Sequence, residues 1–363
     1  MAGQFTQEYR DPQIARKLTD EIHRLSRTPL RIMEVCGTHT VAIFRHGIRS
    51  LLPATIDLLS GPGCPVCVTD QQDIDAFIAL AREPEVIIAT YGDLLRVPGS
   101  DTSLEKERAR GRNIRVVYSS LDALSLAREN PQKRVVFLGV GFETTAPTAA
   151  AALLSARQME LDNFWVYAAQ KTVPPALAAL METPGVRIDG FLLPGHVSVI
   201  IGVEAYRPWF EGHGLPAVVT GFEPVDILQG IFSLVKSVES GDPALLNAYP
   251  RAVTDTGNIK AREIMDQVFA CADARWRGLG SLPASGLAIR EEFAPWDANR
   301  AFDLNLPAAR EPKGCACGAI LTGLLRPPEC PLYRKVCSPM NPVGPCMVSS
   351  EGTCAAYYRY HGE

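Results

Sequence analysis

The chain has 363 residues, 47% of them apolar and 21% charged, with a net charge of −4. At roughly 100–200 residues per domain, that length makes two or three domains with substantial cores. The balance excludes a polybasic nucleic-acid or membrane-surface binder, and no apolar run approaches the roughly 18 residues of a membrane span.

The opening MAGQFTQEYRDPQ has no apolar h-region, so secretion is not expected and a cytoplasmic location is. There thiols stay reduced. Ile14, Leu18, Ile22 and Leu25 recur at spacings of three and four, which predicts an amphipathic helix over 11–27. Eight short runs follow, separated by helical stretches: LRIMEV, TIDLLS, EVIIAT, IRVVYS, RVVFLGV, FWVYA, GFLLP and AVVTG. They are rich in Val and Ile, and many are apolar throughout, as parallel strands covered on both faces are. The alternation predicts α/β layers. Eight strands over some 190 residues exceed one small sheet. We therefore expect a first α/β unit over 1–130 and a second over 131–245. A further helix is expected at 258–272, with Cys271 as a helical core thiol. Beyond it, GLGSLPASG and RPPECP bring Gly, Pro and Cys, and strand alternation fades. The third module, 246–363, is loop-rich and has few apolar runs. A metal centre would supply the missing stabilisation.

Four Gly- and polar-rich loops directly follow predicted strands: Cys36-Gly37-Thr38-His39-Thr40, Gly61-Pro62-Gly63-Cys64-Pro65-Val66-Cys67, Gly141-Phe142-Glu143-Thr144-Thr145 and Gly195-His196-Val197-Ser198. In open α/β sheets ligands bind at the carboxyl ends of strands. All four loops would emerge at that edge, and two facing sheets could enclose a cleft. Each loop opens a helix, whose N-terminus lowers a nearby cysteine pKa. Cys64 and Cys67 then admit three uses: metal ligation, a disulfide, or a tight turn. His39 and His196 also fit structural roles, as helix cap and core histidine. Glu143, Thr144 and Thr145 fit ordinary first-turn and N-cap chemistry.

Ten cysteines are unusual in a reducing compartment, and six of them fall in the last 49 residues. Such clusters more often bind metal or do chemistry than form structural disulfides. Cys315-x14-Cys330-x6-Cys337-x16-Cys354 places four cysteines in separate loops. Zinc sites usually take close C-x2–4-C pairs. Widely spaced single cysteines fit a [4Fe–4S] cluster better. Cys317 and Cys346 remain as alternates.

Taken together, CGTHT (36–40), GPGCPVC (61–67), GFETT (141–145), PGHVS (194–198), the x14/x6/x16 spacing and the closing CPLYRKVCSPMNPVGPCMVSSEGTCAAYYRY resemble the HypD family of hydrogenase maturation factors. The resemblance covers nearly the whole chain. It implies two similar parallel-sheet α/β domains with a cleft between them, plus a C-terminal [4Fe–4S] domain. It implies a metallocentre-assembly scaffold with thiol and iron–sulfur redox activity rather than a conventional enzyme. Such a protein assembles the Fe(CN)2CO unit of [NiFe]-hydrogenases with a HypC-type small partner and receives cyanide from a HypE-type partner. By the same resemblance, Cys36 binds the iron under assembly, Cys64 and Cys67 are the redox-active pair, and Cys315, Cys330, Cys337 and Cys354 are the cluster ligands. His39, Thr40, Glu143, Thr144, His196 and Ser198 fall in the family's cleft motifs. The residues alone also permit an iron–sulfur dehydratase with a cluster on Cys36, Cys64 and Cys67, and a thiol–disulfide oxidoreductase with a structural zinc. The absence of C-x3-C-x2-C argues against radical S-adenosylmethionine chemistry.

Overall fold

All eight apolar runs fold as strands. In the computed structural model, which describes residues 7–304 and 306–361, they are β1 (Leu30–Glu34), β2 (Ile56–Ser60), β3 (Val86–Thr90), β4 (Asn113–Val116), β5 (Arg134–Gly139), β6 (Phe164–Ala168), β7 (Gly190–Pro194) and β8 (Ala217–Thr220). A short β9 (Leu245–Asn247) follows. The first six residues of the segment read above for a signal sequence lie outside the described residues.

The strands make two parallel sheets, one in the order β2-β1-β7-β8-β9 and one in the order β4-β3-β5-β6. They do not divide at residue 130. β1 and β2 share a sheet with β7, β8 and β9, and the four-stranded sheet is inserted between β2 and β7. A cut along the chain misses this because pairing is non-local. Ile32 lies opposite Gly190, and the Arg31 amide donates to Asp189 Oδ2 at 2.7 Å, 158 residues away.

Both faces of each sheet are buried, as the continuous apolar runs predict. Leu30, Ile32, Leu58, Leu192 and Val218 pack on one face against Ile22 of the helix Pro12–Leu25 and Ile227, Leu228 and Ile231 of the helix Pro224–Ser240. Their neighbours Met33, Leu59, Leu193 and Val219 point to the opposite core. The second sheet alternates likewise, with Ile87, Val135 and Phe137 on one side and Ile88, Val136 and Leu138 on the other. Each such buried side chain is worth about 1.5–3 kcal/mol. The first helix begins where Asp11 accepts from the Gln13 amide at 2.7 Å, with Pro12 at its first position.

Strand structure does not fade after residue 245. The helix Ile259–Val268 stops short of Cys271, and β10 (Phe269–Trp276) and β11 (Gly280–Ile289) form an antiparallel hairpin. FACADARW carries a period of two, buried at Phe269 and Trp276 and more open between them. Cys271 is therefore an exposed strand residue whose thiol donates to the Ala284 carbonyl at 3.2 Å, not a helical core thiol. The turn needs Gly278, at φ +85°. The rest of the segment builds no separate core. Phe269, Ile289 and Phe293 join the core of the four-stranded sheet, and Cys317, Cys330, Cys337, Cys346 and Cys354 join the one beneath the five-stranded sheet. No helix among the described residues is long and apolar enough to cross a membrane.

Candidate thiol and metal site

Strand order reverses direction at two points, between β1 and β7 and between β3 and β5. Crevices for ligands form at the carboxyl ends of strands at such points. The first reversal lies between the Cys36 and His196 loops. The second has the Gly141–Thr145 loop at the end of β5.

Cys36 caps the helix Gly37–Arg45, its carbonyl accepting from the Thr40 amide at 3.0 Å. The disulfide loop lies directly on it. The Gly37 amide donates to the Gly63 carbonyl at 3.0 Å, and a Cβ on Gly63 would collide with the backbone N and Cα of Cys36. From the other side comes Glu351, which accepts from the Thr38 hydroxyl at 2.7 Å and leaves no room for a side chain at Gly37. Beneath Cys36 the carboxylate of Glu34 is fully buried, accepting from the Cys36 amide at 3.2 Å and from the Thr40 hydroxyl. Burial pushes Glu34 up to about 7.

The expected lowering of the Cys36 pKa does not occur. Burial, then the Glu351 carboxylate, push it up to about 12, against bonds from the His39 and Thr38 amides that favour the thiolate. Desolvation and two acids outweigh one helix end. Cys64 and Cys67 are likewise not exposed. They are 4% and 0% accessible and bridged by a disulfide across Cα atoms 5.2 Å apart. Oxidised protein should therefore show this bridge by mass spectrometry after alkylation and digestion. Ready alkylation of both thiols would contradict it.

His39 is buried, its Nε2 2.8 Å from the Gly221 carbonyl and its Nδ1 without a partner. Burial holds it neutral, down to about 4. Phe222 lies between His39 and His196, with ring centroids at 4.6 and 3.9 Å. His196 keeps an exposed face. Phe222 and Thr38 also line an open pocket of about 350 Å³ with Arg45, His46, Glu351 and Arg359. Ser198 donates to the Pro194 carbonyl at 2.8 Å and pairs with the phenol of the buried Tyr206 at 3.0 Å.

Glu143 points inward rather than capping its helix. One carboxylate oxygen accepts from the Val173 amide at 2.9 Å, and the other has no partner. Burial pushes Glu143 up to about 7. A carboxyl that binds its proton more tightly when folded favours folding at low pH. That contribution is complete below pH 4.5 and is lost as pH rises through about 7. Relative to Glu143→Gln, the wild type should lose on the order of 3 kcal/mol over this interval, read by urea unfolding at several pH values. Parallel curves would mean that Glu143 is solvated. Phe142, beside it, stacks on Trp276 at 5.9 Å. Phe142, Cys64, Cys67, Tyr206 and Trp276 share one core cluster, which joins the second reversal to the disulfide loop.

Six cysteines, Cys315, Cys317, Cys330, Cys337, Cys346 and Cys354, line one tight cavity of about 10 Å³ with Ile320, Leu332, Tyr333 and Met347. Cys317 and Cys346 bring their sulfurs within 2.7 Å of each other. The Val343 amide donates to Cys337 Sγ at 3.4 Å. Burial first, then the neighbouring sulfurs of Cys317, Cys315, Cys337 and Cys330, hold the Cys354 thiol well above its ordinary range. Thiolates can gather in such a place only around positive charge. Among the described residues no three His, Cys, Asp or Glu side chains form a ready single-ion site, and six thiols face one tight cavity. That donor set fits a polynuclear cluster.

Sequence reasoning missed Glu34, Tyr206, Phe222 and Glu351. Glu34 alone left a trace, a charge inside the apolar run LRIMEV.

The Hydrogenase formation hypA family, under the name HypD, matches residues 13–361. Hydrogenase maturation factor HypD of Azotobacter vinelandii is 46% identical, over 98% of this chain and 96% of its own length. The protein of that name from Rhodobacter capsulatus is 45% identical over 99% and 98%. That from Escherichia coli K12 is 44% identical over 98% of this chain and 98% of its own. With nearly every residue matched at this level of identity, the chain belongs to the HypD family.

Proposed function

We propose that the chain acts in hydrogenase maturation as the scaffold on which the Fe(CN)2CO unit of [NiFe]-hydrogenases is assembled, with a HypC-type partner and cyanide from a HypE-type donor. One observation carries this reading. Cys36 stands at a topological reversal, in backbone contact with the loop of an internal disulfide.

The iron unit is cargo. A low-spin iron carrying cyanide and CO suits thiolate ligation, and Cys36 would give it one. A single protein thiolate holds iron weakly, so a partner must supply another ligand. The opening beside Thr38, Phe222 and Glu351 offers an approach. Glu34 fixes the Cys36 backbone from below, and His39 and His196 grip Phe222 at the opening. By the spacing that the family resemblance rests on, Cys315, Cys330, Cys337 and Cys354 would hold a [4Fe–4S] cluster, and all four line one cavity. When bound, the cluster would supply single electrons. The Cys64–Cys67 disulfide beside Cys36 can accept two electrons and two protons to become a dithiol, and it shares a core with the cysteine cavity. The dehydratase reading fares worse, because that disulfide removes two of its three ligands.

The test is anaerobic co-purification with the HypC-type partner, followed by iron and sulfide quantitation, EPR and infrared spectroscopy. Cluster iron together with cyanide and CO bands is expected. Zinc in place of iron, with no such bands, would overturn the reading.

A further inference from the structure

Arg277 is a buried cation with no part in the functions above. It sits in the turn between β10 and β11 and is only 2% exposed. Its backbone amide donates to the Val68 carbonyl at 2.9 Å and its Nε to the Thr69 carbonyl at 3.2 Å, just past Cys67. Nη2 donates to the buried Gln71 Oε1 at 3.1 Å, and Nη1 pairs with Glu311 Oε2 at 2.6 Å. Glu311 is the only acid ion-paired with it among the described residues, and that side chain is 59% exposed. The Glu311 carboxylate and the Thr69 and Gln71 acceptors meet its donors, while the guanidinium lies inside the protein.

A buried charge persists where something interior answers it. The next residue, Gly278, packs so closely on Gly318 that no side chain fits at Gly278. This sets the turn against the start of the helix Cys317–Leu321, beside the six-cysteine cavity. Arg277 directly follows Trp276, which shares one core cluster with Cys317, Cys346 and Cys354. It thus stands between the disulfide loop and the cysteine cavity, hydrogen-bonded to the first and adjacent to the second.

We propose that Arg277 sets the reduction potential of the cysteine-lined centre by placing a fixed positive charge beside it. The inference rests on the cluster reading above. Each electron that enters a thiolate-ligated cluster adds one negative charge and no atoms. A nearby guanidinium stabilises the reduced form more than the oxidised form and raises the potential. Arginine suits the task because it stays charged when buried and its planar fork satisfies three acceptors at once. It is a positioning and electrostatic residue that touches no cargo.

The experiment is a redox titration of anaerobically purified full-length protein, followed by EPR, after iron and sulfide have been measured. Arg277→Gln should keep the metal content and be about tenfold less reduced at the wild-type midpoint, ~59 mV lower for a one-electron couple. Arg277→Lys keeps the charge and should stay within about twofold of wild type. An unchanged potential in Arg277→Gln, or equal shifts in both variants, would overturn the proposal. Should Arg277→Gln lose its iron, Glu311→Gln decides the matter from a well-exposed position. Removing that carboxylate leaves the guanidinium charge less offset and should raise the potential, and no shift would overturn the proposal. Wild-type protein without iron would overturn the cluster reading itself, which the metal assay reveals before any potential is measured.

Discussion

Cys36→Ala should purify folded, with its C-terminal iron and sulfide intact, and without the cyanide and CO infrared bands of the partner complex. The fold should survive because the change removes one sulfur atom from a loop held by other bonds. Gly37 remains tied to Gly63, Thr38 to Glu351 and Thr40 to the Cys36 carbonyl. None of these uses the thiol. A loss of about 1 kcal/mol, the usual scale for a single substitution, is expected in urea unfolding. The cluster should survive because the six cysteines around its cavity do not include Cys36. The bands should vanish because no other thiol is free in this loop pair, Cys64 and Cys67 being bridged. Maturation of a hydrogenase in a strain dependent on this protein should fall to background. Undiminished bands in Cys36→Ala would place the iron elsewhere, and the scaffold mechanism would fail with them.

The strands were legible because burial on both faces writes itself into short stretches of sequence: RVVFLGV and GFLLP hold little else than apolar residues. Which strands pair was not, since nothing in LRIMEV names GFLLP as its neighbour, and the cut at residue 130 failed for that reason. FACADARW does carry a period of two, but it follows a helical stretch without a break, and Cys271 was read with the helix before it. The loops of the candidate site were legible as Gly-rich segments after strands. Their electrostatics were not. A helix N-terminus favours a thiolate, yet Glu34, two residues before Cys36, and Glu351, from the last segment of the chain, converge on it and with burial reverse the sign. Glu351 reaches the site only through the packing of the last segment, which no local pattern encodes.

Cys337→Ala should lose the cluster iron, sulfide and visible absorbance together, and its effect on stability should spread beyond the cysteine loops. A structural thiolate metal site contributes about 10 kcal/mol or more to folding. That rivals the whole stability of an ordinary domain, about 5–15 kcal/mol. The loops around Cys315 to Cys354 hold only short helices, Cys317–Leu321, Pro345–Val348 and Thr353–Tyr360, and cannot replace such a loss from their own packing. Their cysteines also belong to the core that carries Met33, Leu59 and Leu193 of the five-stranded sheet, so loosening them uncovers that face. Ser349 and Glu351, which reach Asp93 and Thr38, would release those contacts as well. Limited proteolysis of Cys337→Ala should therefore cut first between 303 and 352, with the four-stranded sheet protected longest. Cys317→Ala and Cys346→Ala should keep both iron and protection, because the proposed ligands do not include them. Full cluster retention in Cys337→Ala, or cluster loss in Cys317→Ala equal to it, would show that a different set of four cysteines holds the metal.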